Sequence, residues 1–150
     1  MEKYILSNMK DKNFSKATNE IYLLTDYNRL QYPEYYKWYY QKNLPRILAG
    51  NGEAIFYLDG FQIVGLTMLK KSENESKICT FLINKEYRKR GYSKLILEDS
   101  YEYLALITIP EKRLDEFSEI IDSYGWIASE TTNEYYSPEV IFNSPKVLKK

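Results

Sequence analysis

The sequence predicts an α/β fold in a single domain of 150 residues, with an antiparallel meander followed by a parallel strand–helix–strand unit. Two β-prone runs flank the dipeptide Asp59-Gly60, which is typical of a tight hairpin turn. A third run, residues 77–84, is apolar on both faces and is expected to be a buried central strand. Helical spacing from Gly91 is followed by a β-branched run at 105–109. A strand, a helix and a strand in this order indicate a crossover between parallel strands.

The N-terminal third is predicted to be mostly helical. A short strand is expected at residues 4–6, and a helix is expected over 14–30. A second helix begins at Pro33, because proline suits the first turn of a helix. It carries tyrosines on neighbouring turns, and Pro45 is expected to end it.

The remaining elements alternate between strands and helices. The hairpin strands are expected at 54–58 and 61–70. A helix after Pro110 ends at Gly125, a residue suited to the position just after a helix. Two further strands are expected around a turn at Ser137-Pro138.

Composition excludes several classes of function. Lys and Arg number 21 and Asp and Glu number 21, so zero net charge argues against broad nucleic-acid binding. Histidine is absent and Cys79 is the single cysteine, which excludes Ser-His-Asp and Cys-His systems and the usual zinc sites, so no metal is expected. The N-terminus lacks an apolar stretch of signal-peptide length, and no stretch approaches a membrane span, so we expect a cytoplasmic protein without a membrane partner.

A basic turn (residues 88–94) follows the predicted central strand. In KEYRKRGYSK, residues 85–94, five of the ten residues are Lys or Arg. A helix that begins at the carboxyl end of a strand offers free N–H groups and partial positive charge to an anion. Gly91 would let a phosphate approach the backbone, and Arg88, Lys89, Arg90 and Lys94 add full charges. The combination suits a pyrophosphate, and the alternative is a solvated basic turn.

The spacing of this turn resembles a known signature. Arg88, Gly91 and Ser93 form R-x-x-G-x-S at the end of a central strand, which is similar to the coenzyme A signature Q/R-x-x-G-x-G/A of the GNAT family of N-acetyltransferases. Serine replaces the last small residue, but it is small itself and can donate a hydrogen bond to phosphate. The stretch 77–97 resembles the family's central strand, turn and helix, and SYGW at 123–126 resembles its "GF" junction. The order of elements matches the family over nearly the whole chain.

The resemblance implies a GNAT-like mixed sheet whose central parallel strands splay apart to hold acetyl-CoA. The backbone of the central strand would pair with the pantetheine arm, and a backbone N–H near Leu82 would donate to the thioester oxygen. The N–H groups of the basic turn would hold the pyrophosphate. The cofactor-binding residues implied are Phe81, Leu82, Ile83, Arg88, Lys89, Arg90, Gly91, Tyr92, Ser93 and Lys94.

The family resemblance further implies transfer of an acetyl group to a primary amine of a small molecule, peptide or protein. Members that use a tyrosine to protonate the leaving thiolate place it four residues before the junction glycine, where this chain has Ile121. Tyr124 and Ser118 are the remaining candidates on that helix, and Tyr124 is the better proton donor. No acidic residue lies within the central strand, so the general base is left open. Cys79 is either an acylation site or, as is usual for a strand cysteine, a small buried apolar residue.

The acceptor amine is expected against residues 25–40. Asp26 and Glu34 would attract a cation, and Tyr35 and Trp38 would stack on a flat or cationic group, although helix packing explains such rings equally well. Two alternatives to an enzyme acting on amines are a non-catalytic coenzyme A-binding module and a GNAT-type toxin acting on aminoacyl-tRNA, against which the neutral net charge counts. A homodimer is compatible with the sequence, which leaves the oligomeric state open.

Overall fold

The computed structural model describes residues 1–72, 75–99, 104–111, 114–115, 117, 126–132 and 139–143. Seven strands form one sheet: β1 Glu2–Ile5, β2 Gly52–Asp59, β3 Gln62–Ser72, β4 Glu75–Ile83, β5 Leu104–Pro110, β6 Ile127–Thr132 and β7 Glu139–Asn143. The strand order is β1-β2-β3-β4-β5-β7-β6. Strands β1 to β4 are antiparallel neighbours, β4 and β5 are parallel, and β7 is antiparallel to both β5 and β6.

The helices that the structure describes lie before β2 and after β4. They are α1 Asp11–Thr25, α2 Tyr35–Lys37, α3 Leu44–Leu48 and α4 Tyr92–Asp99, with a 3₁₀ segment at Asp26–Leu30 and a π-helical segment at Trp38–Asn43. The helix expected over 14–30 therefore begins earlier and tightens in its last five residues. Within the described part of the chain, no helix is long and apolar enough to cross a membrane.

Pro45 does not end the second helical region, and the prediction that it would was wrong. The π-helical segment ends at Asn43, and Pro45 lies in the first turn of α3, which continues to Leu48. The chain stays helical up to the proline, because Asn43 and Leu44 before it keep αR backbone angles. The change from π to α geometry at this point lets the chain pass the proline without a break.

The predicted hairpin is confirmed, with longer strands than expected and with its turn one residue later than the predicted Asp59-Gly60. Asp59 pairs with Gln62, so the turn residues are Gly60 and Phe61. Gly60 has a φ of 62°, a conformation that glycine adopts without steric cost. The Phe61 side chain is 100% exposed at the tip of the turn.

Two apolar clusters cover the two faces of the sheet. On one face α1 to α3 pack against β2, β3 and β4 through Ile21, Tyr39, Ile47, Phe56, Leu66 and Met68, among others. On the other face α4 packs through Ile96 and Leu97 against a cluster that includes Val64, Ile78, Ile109, Trp126 and Phe142.

A β-bulge in β4 explains why the central strand is apolar on both faces. Met68 pairs with Thr80 and Leu69 pairs with Ile78, so Cys79 is the extra residue. Because an extra residue reverses the alternation of side chains, Ile78 belongs to the α4 cluster and Leu82 to the opposite cluster. The bulge lies where the functional site begins.

Gly65 in β3 sets the position of α4. A Cβ atom at Gly65 would lie 2.8 Å from Ile96 Cδ1 and 2.9 Å from Ile83 Cδ1, distances that are too short for carbon atoms. The absence of a side chain therefore lets α4 pack closely on the sheet. At the C-terminal end of α4 the Asp99 carboxylate accepts a hydrogen bond from the Tyr57 hydroxyl and lies 2.9 Å from Lys3 Nζ. These contacts fix α4 on the sheet, with its N-terminus beside the end of β4.

Candidate functional site

Strands β4 and β5 separate at the bulge. Their parallel pairing extends only from Glu75 opposite Leu104 to Ile78 opposite Ile107. Beyond that point β5 is paired with β7 as far as Pro110. Strand β4 continues to Ile83 with β3 as its partner. Within the described residues, the edge of β4 that faces β5 has no strand beside it after Cys79. We call this space the β4–β5 gap.

The alternation of the backbone decides which groups face the β4–β5 gap. The Asn84 N–H donates to the Val64 carbonyl at 2.8 Å, so the Leu82 N–H, two residues earlier, also faces β3. The amide groups of Phe81 and Ile83 consequently face the gap. Leu82, which the resemblance implied among the cofactor-binding residues, therefore directs its amide groups to β3, and cofactor binding by Phe81 and Ile83 stays a prediction. Backbone groups at such an edge require a partner from water or a ligand.

Asn84 and Tyr87 fix the turn that follows β4. The Asn84 side chain donates from Nδ2 to the Ile63 carbonyl at 2.9 Å and accepts from the Glu86 N–H at 3.3 Å. The Tyr87 ring is buried, and its hydroxyl donates to Gln62 Oε1 at 2.9 Å. Neither residue is among those predicted from the sequence. An asparagine directly after a strand and before a polar turn is the local signal that indicates this capping role.

The basic turn has the open geometry expected of a phosphate site. Lys89 has a φ of 61° and Gly91 a φ of 82°, and α4 begins at the next residue, Tyr92. A Cβ atom at Gly91 would have no protein atom within 4 Å, so the space in front of the turn is empty. Glycine is required here by the positive φ, and the exposed backbone can be approached by a ligand.

The four basic side chains of the turn differ in their surroundings. Arg88 Nε donates to the Ile83 carbonyl at 3.1 Å, and the Arg90 guanidinium lies 5.3 Å from the centre of the Tyr87 ring. Lys94 Nζ is 3.9 Å from Glu98 on the exposed face of α4. Lys89 is exposed, and its side chain makes no ion pair with the described residues. Arg88 therefore closes the end of the β4–β5 gap, and Lys89 carries the least engaged charge.

A cavity of about 460 Å³ lies between the helical region and the strands β4 and β5. We call it the acceptor cavity. It is lined by Tyr27, Asn28, Tyr32, Glu34, Tyr35, Lys37, Trp38, Gln41, Lys42, Lys77, Cys79, Thr80, Phe81, Ile107, Ile109 and Phe117. Phe81 belongs both to this lining and to the edge of the β4–β5 gap, so the two spaces meet at Phe81.

The predicted acceptor residues are only partly brought together. Glu34, Tyr35 and Trp38 line the acceptor cavity, and Asp26 does not. The Asp26 carboxylate instead accepts a hydrogen bond from the Tyr22 hydroxyl at 3.0 Å and lies 3.5 Å from Arg29 Nε. Asp26 thus stabilises the end of α1 through Tyr22 and Arg29.

The charge of the acceptor cavity also differs from the expectation. Glu34 lies on the rim and is 3.7 Å from Lys37 Nζ. Lys42 and Lys77 line the same cavity. Among the described lining residues three lysines thus accompany one glutamate, so the carboxylates expected to attract a cation do not dominate this surface.

Tyr35 and Cys79 are neutral groups in the cavity wall. The Tyr35 hydroxyl donates to Thr25 Oγ1 at 2.6 Å, and burial raises the pKa of this phenol. Its ring stacks on Trp38 with centroids 5.6 Å apart, which supports the packing interpretation of these two rings. Burial raises the pKa of the Cys79 thiol, whose Sγ donates to the Lys77 carbonyl at 3.7 Å. A protonated thiol is a weak nucleophile.

Tyr32 brings a buried carboxylate to the cavity wall. Glu139, the first residue of β7, is 0% exposed, and its Oε1 accepts a hydrogen bond from the Tyr32 hydroxyl at 2.8 Å. The members of this pair are 107 positions apart, so no local sequence pattern predicts their contact. Tyr124 and Ser118, the predicted catalytic residues, lie outside the described residues and remain predictions. The described residues contain no group of three or more acidic or cysteine side chains that could hold a metal.

Comparison with known proteins identifies the fold. No protein-family model and no curated protein sequence matches the chain. Among solved structures, a variant of the spermidine N-acetyltransferase SpeG from Vibrio cholerae has a TM-score of 0.69 at 8% identity, covering 96% of this chain and 94% of that one. An aminoglycoside 6'-N-acetyltransferase complexed with coenzyme A has a TM-score of 0.65 at 12% identity, covering 100% and 99%. A GNAT family acetyltransferase from Elizabethkingia anophelis with acetyl-CoA bound has a TM-score of 0.54 at 12% identity, covering 71% and 83%. This chain has the fold of the GNAT acetyltransferases.

Proposed function

We propose that this protein is an acetyl-CoA-dependent N-acetyltransferase that acts on a primary amine. The separation of β4 and β5 after Ile78 is the observation that carries the proposal. It leaves the amide groups of Phe81 and Ile83 facing a gap, and the pantetheine arm of coenzyme A has amide groups that can bind there as an added strand would. Structural neighbours with bound coenzyme A or acetyl-CoA support this assignment.

The basic turn would hold the phosphates of the cofactor. Backbone N–H groups between Lys89 and Lys94 precede or begin α4, where the helix dipole favours an anion. Ser93 can add a hydroxyl donor, and Lys89 can add an exposed positive charge. Arg88 is proposed to act at the other end of the same site, where it already binds the Ile83 carbonyl.

The acceptor amine would enter through the acceptor cavity and meet the thioester at Phe81. The nitrogen must reach the carbonyl carbon as a neutral amine, because an alkylammonium has no free electron pair. The Phe81 or Ile83 N–H, which faces the gap, can stabilise the negative charge that develops on the carbonyl oxygen. We retain Tyr124 as the proposed donor of a proton to the departing thiolate, with Ser118 as the weaker candidate. The acceptor is a small molecule or a peptide, and the proposed compartment is the cytoplasm.

Calorimetric titration with acetyl-CoA, followed by mass-resolved turnover with a panel of primary amines, tests the proposal. We expect one-to-one binding of acetyl-CoA and a mass increase of one acetyl group on at least one amine. Failure to bind acetyl-CoA would contradict the proposal outright. Binding without turnover across neutral, acidic and basic amines would instead support a non-catalytic coenzyme A-binding module.

A further inference from the structure

Glu139 is a carboxylate in an unusual place. Its side chain is 0% exposed, and its partners across the sheet are the uncharged residues Pro110 on β5 and Thr132 on β6. Removing a carboxylate from water is costly unless hydrogen bonds replace the lost water. The Tyr32 hydroxyl supplies such a bond at 2.8 Å. A buried acidic group next to a cavity is a common feature of catalytic sites.

Tyr32 connects this carboxylate to the acceptor cavity. It lies between the 3₁₀ segment and α2, is half-buried and lines the cavity. Glu139 itself does not line the cavity, but the next residue, Val140, pairs with the cavity-lining Ile109. Glu139 Oε1 is therefore joined by one hydrogen bond to a residue that lines the cavity.

The proposed reaction needs a base that the other described cavity groups do not provide. Glu34 is exposed on the rim, and its carboxylate already has Lys37 Nζ as a partner at 3.7 Å. Lys42 and Lys77 line the cavity with ammonium groups, which are hydrogen-bond donors and not acceptors. The Tyr35 hydroxyl donates to Thr25, which is uncharged and cannot accept the proton in turn.

We propose that Tyr32 and Glu139 form a proton relay that deprotonates the acceptor amine. The inference rests on the proposed acetyltransferase function. The ammonium of the acceptor gives one proton to the Tyr32 oxygen while the phenol gives its own proton to Glu139 Oε1. The neutral nitrogen then attacks the thioester carbonyl, the C–N bond forms and the C–S bond breaks. The second proton lost by the nitrogen goes to the thiolate, and Glu139 returns its proton to solvent through Tyr32.

The pH dependence of this relay is set by the groups around Glu139 and Tyr32. The strands on either side of Glu139 place uncharged partners opposite it. The helical side of the cavity contributes Tyr27, Glu34, Tyr35, Lys37 and Lys42, and β4 contributes Lys77 and Cys79. Among these groups, Glu139 is the carboxylate that accepts a hydrogen bond from the hydroxyl of a cavity-lining residue, Tyr32.

The test compares three variants in the full-length protein. Glu139→Gln keeps the shape and the hydrogen-bond acceptor for Tyr32 but removes the basic carboxylate. Tyr32→Phe removes the hydroxyl and keeps the ring. Tyr36→Phe is the control, because Tyr36 is 60% exposed and does not line the cavity. For each protein kcat/KM is measured from pH 6 to 10 with two substrates, the best primary alkylamine of the panel and hydroxylamine. The alkylamine, with a pKa of roughly 10.4, is mostly protonated in this range. Hydroxylamine is uncharged at neutral pH.

We expect Glu139→Gln and Tyr32→Phe to lower kcat/KM for the alkylamine at pH 7 by about 10²–10⁴-fold, the usual contribution of a general base. The loss in kcat/KM should shrink as pH approaches the pKa of the amine, and it should be small with hydroxylamine. In both cases the amine is already neutral, so no base is needed to remove its proton. Acetyl-CoA affinity should not change.

Two results would overturn the relay. A Glu139→Gln protein with the pH profile of the parent would show that the pair only fastens Tyr32 to the sheet, since glutamine preserves that contact. An equal loss of kcat/KM at every pH and with both amines would show that the substitutions disturb the structure and do not remove a general base. A parent protein that binds acetyl-CoA but transfers nothing would overturn the relay together with catalysis, whereas unchanged profiles in an active parent would overturn the relay alone.

Discussion

The basic turn and the acceptor cavity are assembled in different ways. The turn is one continuous stretch in which the end of β4, two residues with positive φ and the start of α4 follow one another directly. The cavity collects side chains from the helical region, from β4 and β5 and from Phe117. The first site depends on local backbone geometry, and the second depends on contacts between distant parts of the chain.

This difference separates what is common to the fold from what is specific to this protein. The turn and the β4–β5 gap would bind a cofactor through backbone groups, which any sequence with the right geometry provides. The cavity would select the acceptor and activate it through side chains such as Tyr32. Variants of the turn should therefore change cofactor affinity, and variants of the cavity should change turnover.

The largest expected effect is on turnover. If Tyr124 protonates the departing thiolate, Tyr124→Phe should lower kcat by about 10²–10⁴-fold, the usual contribution of a general acid. Acetyl-CoA affinity should stay the same, because the ring is retained and only the hydroxyl is lost. Steady-state kinetics and calorimetry on the same preparation measure the two quantities.

Ser118→Ala is the matched control for this prediction. A serine hydroxyl is a poor acid near neutral pH, so its loss should leave kcat close to that of the parent. Parental turnover in the Tyr124→Phe protein would leave solvent or another tyrosine as the proton source.

A smaller effect is expected in the basic turn. Gly91→Val places a β-branched side chain at a φ of 82° and in the empty space in front of the turn. We expect acetyl-CoA affinity to fall about tenfold to a hundredfold, or roughly 1.4–2.8 kcal/mol, because the side chain would occupy the path of the phosphates. Isothermal titration calorimetry measures the loss.

Gly50→Val is the control for backbone strain. Gly50 has a φ of 85°, and a Cβ atom there would also have no protein atom within 4 Å, but this glycine lies after α3, away from the turn. Both variants should lose a similar amount of stability to thermal unfolding, about 1–3 kcal/mol. If Gly50→Val weakens acetyl-CoA binding as much as Gly91→Val does, the phosphate assignment of the turn is incorrect.

The same contrast explains what the sequence could predict. The strand, the cluster of positive charge, Gly91 and the helix start are neighbours in the chain, so their spacing was sufficient to predict the turn and the fold. The bulge at Cys79 was not predictable, because the apolar run reads equally well as a strand buried on both faces. The Tyr32–Glu139 hydrogen bond was not predictable either, since it depends on how β7 packs beside β5. Asp26 was predicted in the cavity from its position in the sequence, but its carboxylate binds groups on its own helical region.

A further comparison uses salt to separate charge from backbone in the turn. Lys89 is exposed and makes no ion pair with the described residues, so its contribution to phosphate binding should be screened by salt. Lys89→Gln is expected to weaken acetyl-CoA binding about two- to fivefold at low ionic strength and to reduce the dependence of affinity on salt. Lys12→Gln on α1 removes an equally exposed charge from another part of the surface and is the control. Salt-independent affinity in the parent would assign the phosphates to backbone groups alone.

The smallest effect is expected at Cys79. Its thiol is the one sulfur nucleophile among the described lining residues of the cavity. An acyl-cysteine intermediate would require a thiolate, but burial raises the pKa of this thiol, and its Sγ already donates to the Lys77 carbonyl. If the amine attacks acetyl-CoA directly, Cys79→Ser should retain the kcat of the parent within about twofold. Serine fills nearly the same volume, and a small polar change at a half-buried position has little effect on stability. Mass spectrometry of the parent protein after incubation with acetyl-CoA alone should show no added acetyl group. A stable acetyl adduct that disappears in Cys79→Ser, together with loss of turnover, would instead establish a covalent route through the cavity wall.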